Sequence, residues 1–275
     1  MEIYAWTNSY LRDHLINTWN TVQKYRKLDS IARSLATRIT FVDPEISFGE
    51  AYEVVALAHL LHDIGKATNK YQESIARAMA NDGLKPSFKY HEIVSGCIIE
   101  VALDKYIAGS TKGKFLSAIL ILSILNHHHA MRNIVVLGRS ERMSEALEIF
   151  KNMVIYDELG DIVYDVIRAT GLDSELSPTI MDNIFRAIND INRGIKGKDL
   201  TKCFLNYLMT FTRRGYRSWI TELSRFSNLA LVLPYVVNSL SGLVSIADNI
   251  TASLEREGSP RGISRTLLKE LVELG

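Results

Sequence analysis

Six of the seven histidines fall into four local groups: His14, the pair His59 and His62, His91, and His127 with His128, the first two of a triplet that ends at His129. Their settings are informative. His62 and Asp63 close an apolar run over 51–61, just before Gly65. His14 lies four residues after Tyr10 and beside Leu11 and Leu15, which turns it inward on a helix. The triplet closes the most apolar run of the chain, 115–125. Asp248 continues the stripe Val237, Leu240, Val244 by helical steps of three and four. A carboxylate on such a stripe is costly unless it is paired, hydrogen-bonded or metal-bound.

Taken singly, each group has an ordinary reading: a hydrogen-bonded core histidine, or an aspartate that caps a helix or pairs with arginine. Taken together they form a donor set of imidazoles and carboxylates without thiolates, which suits borderline first-row metals. An aspartate next to a histidine can bridge two ions, one on each oxygen. Two ions roughly 3.5–4 Å apart clamp a phosphodiester and generate a hydroxide nucleophile. Spacing along the chain does not establish convergence; the elements that carry the residues must supply it.

Those elements are helical. Alternating β-branched runs bounded by hairpin signals are nearly absent. The pattern predicts helices over 8–27, 29–39, 47–63, 70–81, 91–107, 114–127, 140–156, 161–169, 177–192, 198–213, 216–226, 229–254 and 264–274. Turn chemistry marks the breaks at Asp43-Pro44, Asn81-Asp82-Gly83, 109–113, 194–197 and Gly258-Ser259-Pro260. No long linker and no internal repeat is present. The expectation is one all-α domain over 1–275, with 255–275 a C-terminal helical tail.

Composition bounds the function. The 275 residues are 47% hydrophobic and 23% charged, enough to bury a large core. A net charge of +1 supplies no global field, so any nucleic-acid surface must be a local patch. Cys97 and Cys203 form no CxxC pair, which argues against a disulfide scaffold and a zinc-thiolate site. The first ten residues lack a secretory signature. The uncharged stretch 229–247 carries Pro234, Asn238 and several serines, so it reads as a buried helix rather than a membrane span. A cytoplasmic location and no membrane partner are expected.

At this point the residues match a family pattern. His62-Asp63 with the flanking histidines resembles the HD superfamily of metal-dependent phosphohydrolases. The longer string His62-Asp63-Ile64-Gly65-Lys66-Ala67, followed by Tyr71-Gln72, resembles the HD nuclease of type I CRISPR interference systems. His91-Glu92-Ile93-Val94-Ser95 is similar to that family's His-Glu-x-x-Ser motif, and His127-His128 to its paired histidines. The segment 239–248, ending Ala247-Asp248, resembles its late helix. Because His129 and Ala130 follow where the family often has glycine, His128-His129 is a second register for the pair.

The resemblance implies an all-helical HD fold with two divalent metal ions (Mn, Mg, Co, Ni, Fe or Zn). His14, His62, Asp63 and Asp248 would hold one, and Asp63, His91, His127 and His128 the other. Asp63 and Lys66 would be the catalytic residues, with Lys66 beside the scissile phosphate. It implies a nuclease acting on single-stranded DNA, with duplex DNA and RNA left open, alongside a separate helicase subunit and a CRISPR effector complex. The segment 109–114 lacks Walker A glycine spacing and reads as a surface loop. The best local patch for nucleic acid is Arg213, Arg214 and Arg217 with Tyr216 and Trp219; Lys196, Lys198 and Lys202 form a second. Two alternatives remain: an HD-type nucleotide or cyclic-nucleotide phosphohydrolase, and a non-catalytic helical subunit.

Overall fold

The computed structural model describes residues 1–81, 84–128, 140–209, 229–257 and 266. Its helices are α1 Leu11–Lys24, α2 Arg26–Thr40, α3 Phe48–Leu61, α4 Asn69–Ala80, α5 His91–Ala102, α6 Asp104–Gly109, α7 Thr111–Asn126, α8 Ser140–Phe150, α9 Glu158–Ala169, α10 Leu176–Asn192, α11 Leu200–Met209 and α12 Leu229–Glu257. The expected all-α class holds. Among the described residues the one sheet is a two-stranded antiparallel hairpin, β1 Tyr4–Trp6 and β2 Ser9–Tyr10.

Burial sorts the helices. On α3, α5 and α7 nearly every residue is buried, as expected of helices that are apolar on all sides. These three form the centre. Around them lie α1, α2, α9 and α10, which bury one face each; α12 closes the assembly against α1, α2 and α7. The buried apolar side chains form one cluster reaching from Ile3 to Ile250. No helix among the described residues is long and apolar enough to cross a membrane.

Local chemistry fixes the ends of these elements. Ser47 and Glu50 make a reciprocal capping box at the start of α3. Glu53, fully buried within α3, accepts from the Leu176 and Ser177 backbone N–H groups and so caps α10 from outside. The segment 109–114 is a helix junction rather than a free loop: Ser110 caps α7, and Lys112 pairs with Glu50 at 2.7 Å.

Three helix boundaries and the reading of the cysteines also need correction. Residues 8–10 begin no helix; Ser9 and Tyr10 pair with β1, and α1 starts at Leu11. The predicted helix over 91–107 breaks at Leu103 into α5 and α6. The helix predicted over 140–156 ends at Phe150, because Ile155 bridges to Thr68. The two cysteines are also bonded to each other, with Cα atoms 6.0 Å apart where α11 crosses α5. A separation of 106 residues hides that proximity from any local motif. The predicted helix over 216–226 and all of 264–274 except Thr266 lie outside the described residues.

Candidate metal centre

Asp63 sits where α3 ends. His62 is the last residue with helical backbone, and the chain then tightens into a 3-10 turn, Ile64–Lys66, with the Lys66 N–H bonded to the Asp63 carbonyl. This turn lies directly against α5. A Cβ on Gly65 would stand 2.1 Å from the His91 carbonyl oxygen, so only glycine allows the approach. The Gly65 N–H donates to Ser95 Oγ at 2.8 Å, and Ser95 Oγ donates to the His91 carbonyl at 3.1 Å. The glycine and serine of the two sequence motifs thus fasten Asp63 to His91.

α5 begins abruptly. Tyr90, just before His91, holds a left-handed backbone with φ of 68°, at a cost of about 1–3 kcal/mol for a non-glycine residue. Its ring packs beside the paired rings of Phe150 and Phe204, with centroids 6.3 and 6.0 Å away.

The carboxylate of Asp63 is fully buried and faces two ways. Oδ1 lies 2.7 Å from His91 Nε2 and 3.7 Å from His127 Nε2, and His128 Nε2 is 3.2 Å from that of His91. Oδ2 lies 3.3 Å from His14 Nε2 and 3.5 Å from His62 Nε2. Asp248 Oδ1 completes the second group, 3.2 Å from His14 and 3.7 Å from His62. Two donor sets result: Asp63, His91, His127 and His128, and His14, His62, Asp63 and Asp248.

All seven expected ligand residues are therefore brought together by α1, α3, α5, the end of α7 and α12. His127 and His128 both join; His129, on which the other register depends, lies outside the described residues. Lys66 lies at the rim with Nζ 2.5 Å from Asp63 Oδ2.

The donor set fits divalent cations. His62, His91 and His127 donate from Nδ1 to the carbonyls of His59, Phe88 and Ile124 at 2.6–2.8 Å. That fixes the tautomer and leaves each Nε2 lone pair pointing inward. The Nε2 atoms of His14, His62 and His127, with Asp63 Oδ1, are buried without a hydrogen-bond partner. Orphaned acceptors of this kind are rare unless something binds them.

Electrostatics divide the imidazoles. Burial lowers His14 and His127, but Asp248, Asp63 and Glu255 raise His14 and Asp63 raises His127. Both end above the ordinary range, and a cation would have to displace their protons. Burial and the neighbouring His127 and His91 push the His128 imidazole far down, and burial pushes His62 down, so both favour the neutral, ligating form. Burial opposes ionisation of Asp63, but Lys66, His62 and His91 override it and hold its carboxyl well below the ordinary range. Burial works against Asp248 in the same way, and His14 and His62 override it.

His14 differs from the others. Its Nδ1 donates to a carboxylate, Glu255 Oε2, at 2.9 Å. Glu255 is itself held by Ser9 Oγ at 2.7 Å and Asn17 Nδ2 at 3.1 Å. Sequence reasoning missed this residue, although a signal existed: Glu255 follows Asp248 by seven residues, two turns along the same helical face. His59 contributes through its backbone carbonyl to His62, while its ring packs on Trp19. The patch Arg213, Arg214 and Arg217 lies outside the described residues. Lys198 and Lys202 are engaged with Asp104 and Asp199.

No protein-family model matches the chain. It is 26% identical over 250 residues to a CRISPR-associated endonuclease Cas3-HD of Methanocaldococcus jannaschii, covering 89% of this chain and 90% of that one. A solved structure of the CRISPR-associated Cas3 HD domain protein from the same archaeon aligns with 89% of this chain and 99% of that one, at 21% identity and a TM-score of 0.48. The sequence similarity to the archaeal endonuclease covers most of both chains.

Proposed function

We propose that this chain is a metal-dependent nuclease that hydrolyses phosphodiester bonds of nucleic acid in CRISPR interference, acting on single-stranded DNA supplied by a separate helicase subunit. One observation carries the reading: a buried aspartate turns one oxygen toward each of two histidine clusters, with a lysine at the rim. The endonuclease name of the relative supports the substrate class.

His14, His62, Asp63 and Asp248 would hold one cation and Asp63, His91, His127 and His128 the other. Bound there, divalent ions supply Lewis-acid activation of water and neutralise charge on the phosphate. The chain supplies the rest. Backbone carbonyls aim three imidazoles, and Asp63 fixes the distance between the clusters. Lys66, tethered through Asp63, offers positive charge to the phosphate that enters beside it.

The test is metal analysis of the purified chain, followed by assay with labelled single-stranded DNA, duplex DNA, RNA and a panel of nucleotides in Mn, Mg, Co, Ni and Zn. Cutting of single-stranded DNA is expected. Release of inorganic phosphate from nucleotides with intact DNA would overturn the reading.

A further inference from the structure

A groove of about 590 Å³ opens onto the metal centre. This is within the roughly 300–1,000 Å³ typical of sites that enclose a small ligand. Its lining includes the proposed ligands His91, His128 and Asp248 together with Trp6, Phe88 and Arg256. Trp6 comes from β1, Arg256 from the last turn of α12, and Phe88 from the segment that leads into α5.

The Arg256 guanidinium lies over the Trp6 indole, 3.8 Å from the ring centroid. Phe88 stands beside Trp6 with centroids 5.7 Å apart. Arg256 is exposed and forms no ion pair with any described residue. An exposed cation over an aromatic ring is held weakly, so fold stability does not account for this placement. Flat cationic and aromatic surfaces are those on which unpaired bases stack.

The platform is rigidly mounted. The Tyr4 N–H donates to Gln72 Oε1 at 3.0 Å, and Gln72 Nε2 donates to the Tyr4 and Lys66 carbonyls, each at 2.9 Å. The aromatic-Gln pair thereby ties β1 to the turn that carries Lys66. Its tyrosine fixes the segment that carries Phe88, since Tyr71 donates to the Lys89 carbonyl. On the far side, Asn8 donates to the Glu255 carbonyl and Ser9 to the Glu255 carboxylate, next to Arg256 and to His14.

The geometry points to a nucleobase subsite: the stacked Arg256 and Trp6 receive the unpaired base of a nucleotide flanking the phosphate held at the metal centre. This rests on the nuclease reading and specifies its substrate as a single strand recognised by the faces of its bases. Bases in a duplex are stacked on their neighbours and have no face to offer. Recognition through faces is tolerant of sequence, because every base has one.

The test compares kcat/KM of the metal-loaded full chain on a single-stranded oligonucleotide and on an oligomer of abasic deoxyribose phosphates of equal length. Stacking of one base on an aromatic platform predicts that the preference for the base-bearing oligomer falls about tenfold or more in Trp6→Leu and in Arg256→Ala. Trp6→Phe restores much of it, and Arg256→Lys, which keeps charge without the plane, does not. An unchanged preference in Arg256→Ala and Trp6→Leu overturns the subsite alone. Equal proportional loss on both oligomers overturns it too, since that marks a structural role. A wild-type chain that cuts neither oligomer removes the nuclease reading, and the subsite with it.

Discussion

Gly65→Ala tests how tightly the turn after α3 must meet α5. The added Cβ falls 2.1 Å from the His91 carbonyl oxygen, 2.8 Å from the Ser95 nitrogen and 2.9 Å from Ser95 Oγ. Two of these are backbone atoms of a buried helix, so no side-chain rotation relieves the clash. The turn must retreat by about 1 Å to reach ordinary contact. Overpacking of this kind costs about 1–3 kcal/mol, and the bond from Gly65 to Ser95 adds about 1 kcal/mol when it is lost. For a chain of this size the melting temperature should fall by about 5–15 °C.

The functional loss should exceed the stability loss. Asp63 Oδ1 and His91 Nε2, 2.7 Å apart, sit on opposite sides of the contact that is forced open. A displacement of about 1 Å at reacting groups costs on the order of 100-fold in rate. The assay is calorimetric metal titration of the folded variant with a thermal melt alongside. Weakened binding is expected at the cluster containing His91, His127 and His128, with His14, His62 and Asp248 less affected. A variant that melts with wild type and binds metal with wild-type affinity would refute the reasoning.

Asp63→Asn keeps the shape of the carboxylate and removes its charge; metal uptake at both clusters and cleavage should be lost, with helical circular dichroism retained. Glu255→Gln leaves an acceptor for His14 Nδ1 but no charge, and should weaken metal binding about 10-fold, the lower end for partners of metal-bound histidines; unchanged affinity by calorimetry would remove Glu255 from the site. Burial pushes the Glu100 carboxyl up, against its bond to Tyr207. A raised folded-state value stabilises fully below the unfolded carboxylate range, near pH 4, and that contribution is lost as pH rises through the raised value. Glu100→Gln should therefore melt close to wild type at pH 4 and above it at pH 8, by an increment that grows between them.

The residue types of the site were legible because buried imidazoles and an inward aspartate are chemically unusual. Asp248 stood out against an apolar stripe, and the 62–67 string with Gly65 marked a close approach that the structure explains through His91 and Ser95. The long helices α3, α7 and α12 followed from periodicity and composition. What stayed hidden depended on distance or on brevity. Strands of three and two residues are too short to show alternation, so β1 and β2, and with them Trp6, were absorbed into a helix or passed over. The break at Leu103 carries neither glycine nor proline. Glu255 sits beside Arg256 and Glu257 and reads as a solvated helix end; only the fold brings it to His14. Cys97 and Cys203 met for the same reason, through the crossing of α5 and α11.

The bond between His14 and Glu255 joins residues 241 positions apart. During synthesis the imidazole on the first helix must wait for 241 further residues before its carboxylate partner exists. Asp248 arrives only shortly before. Contacts of such high sequence separation form late, so the proposed cation-binding groups are among the last to be assembled. The pair of proposed donor sets is therefore complete only once α12 has docked against α1.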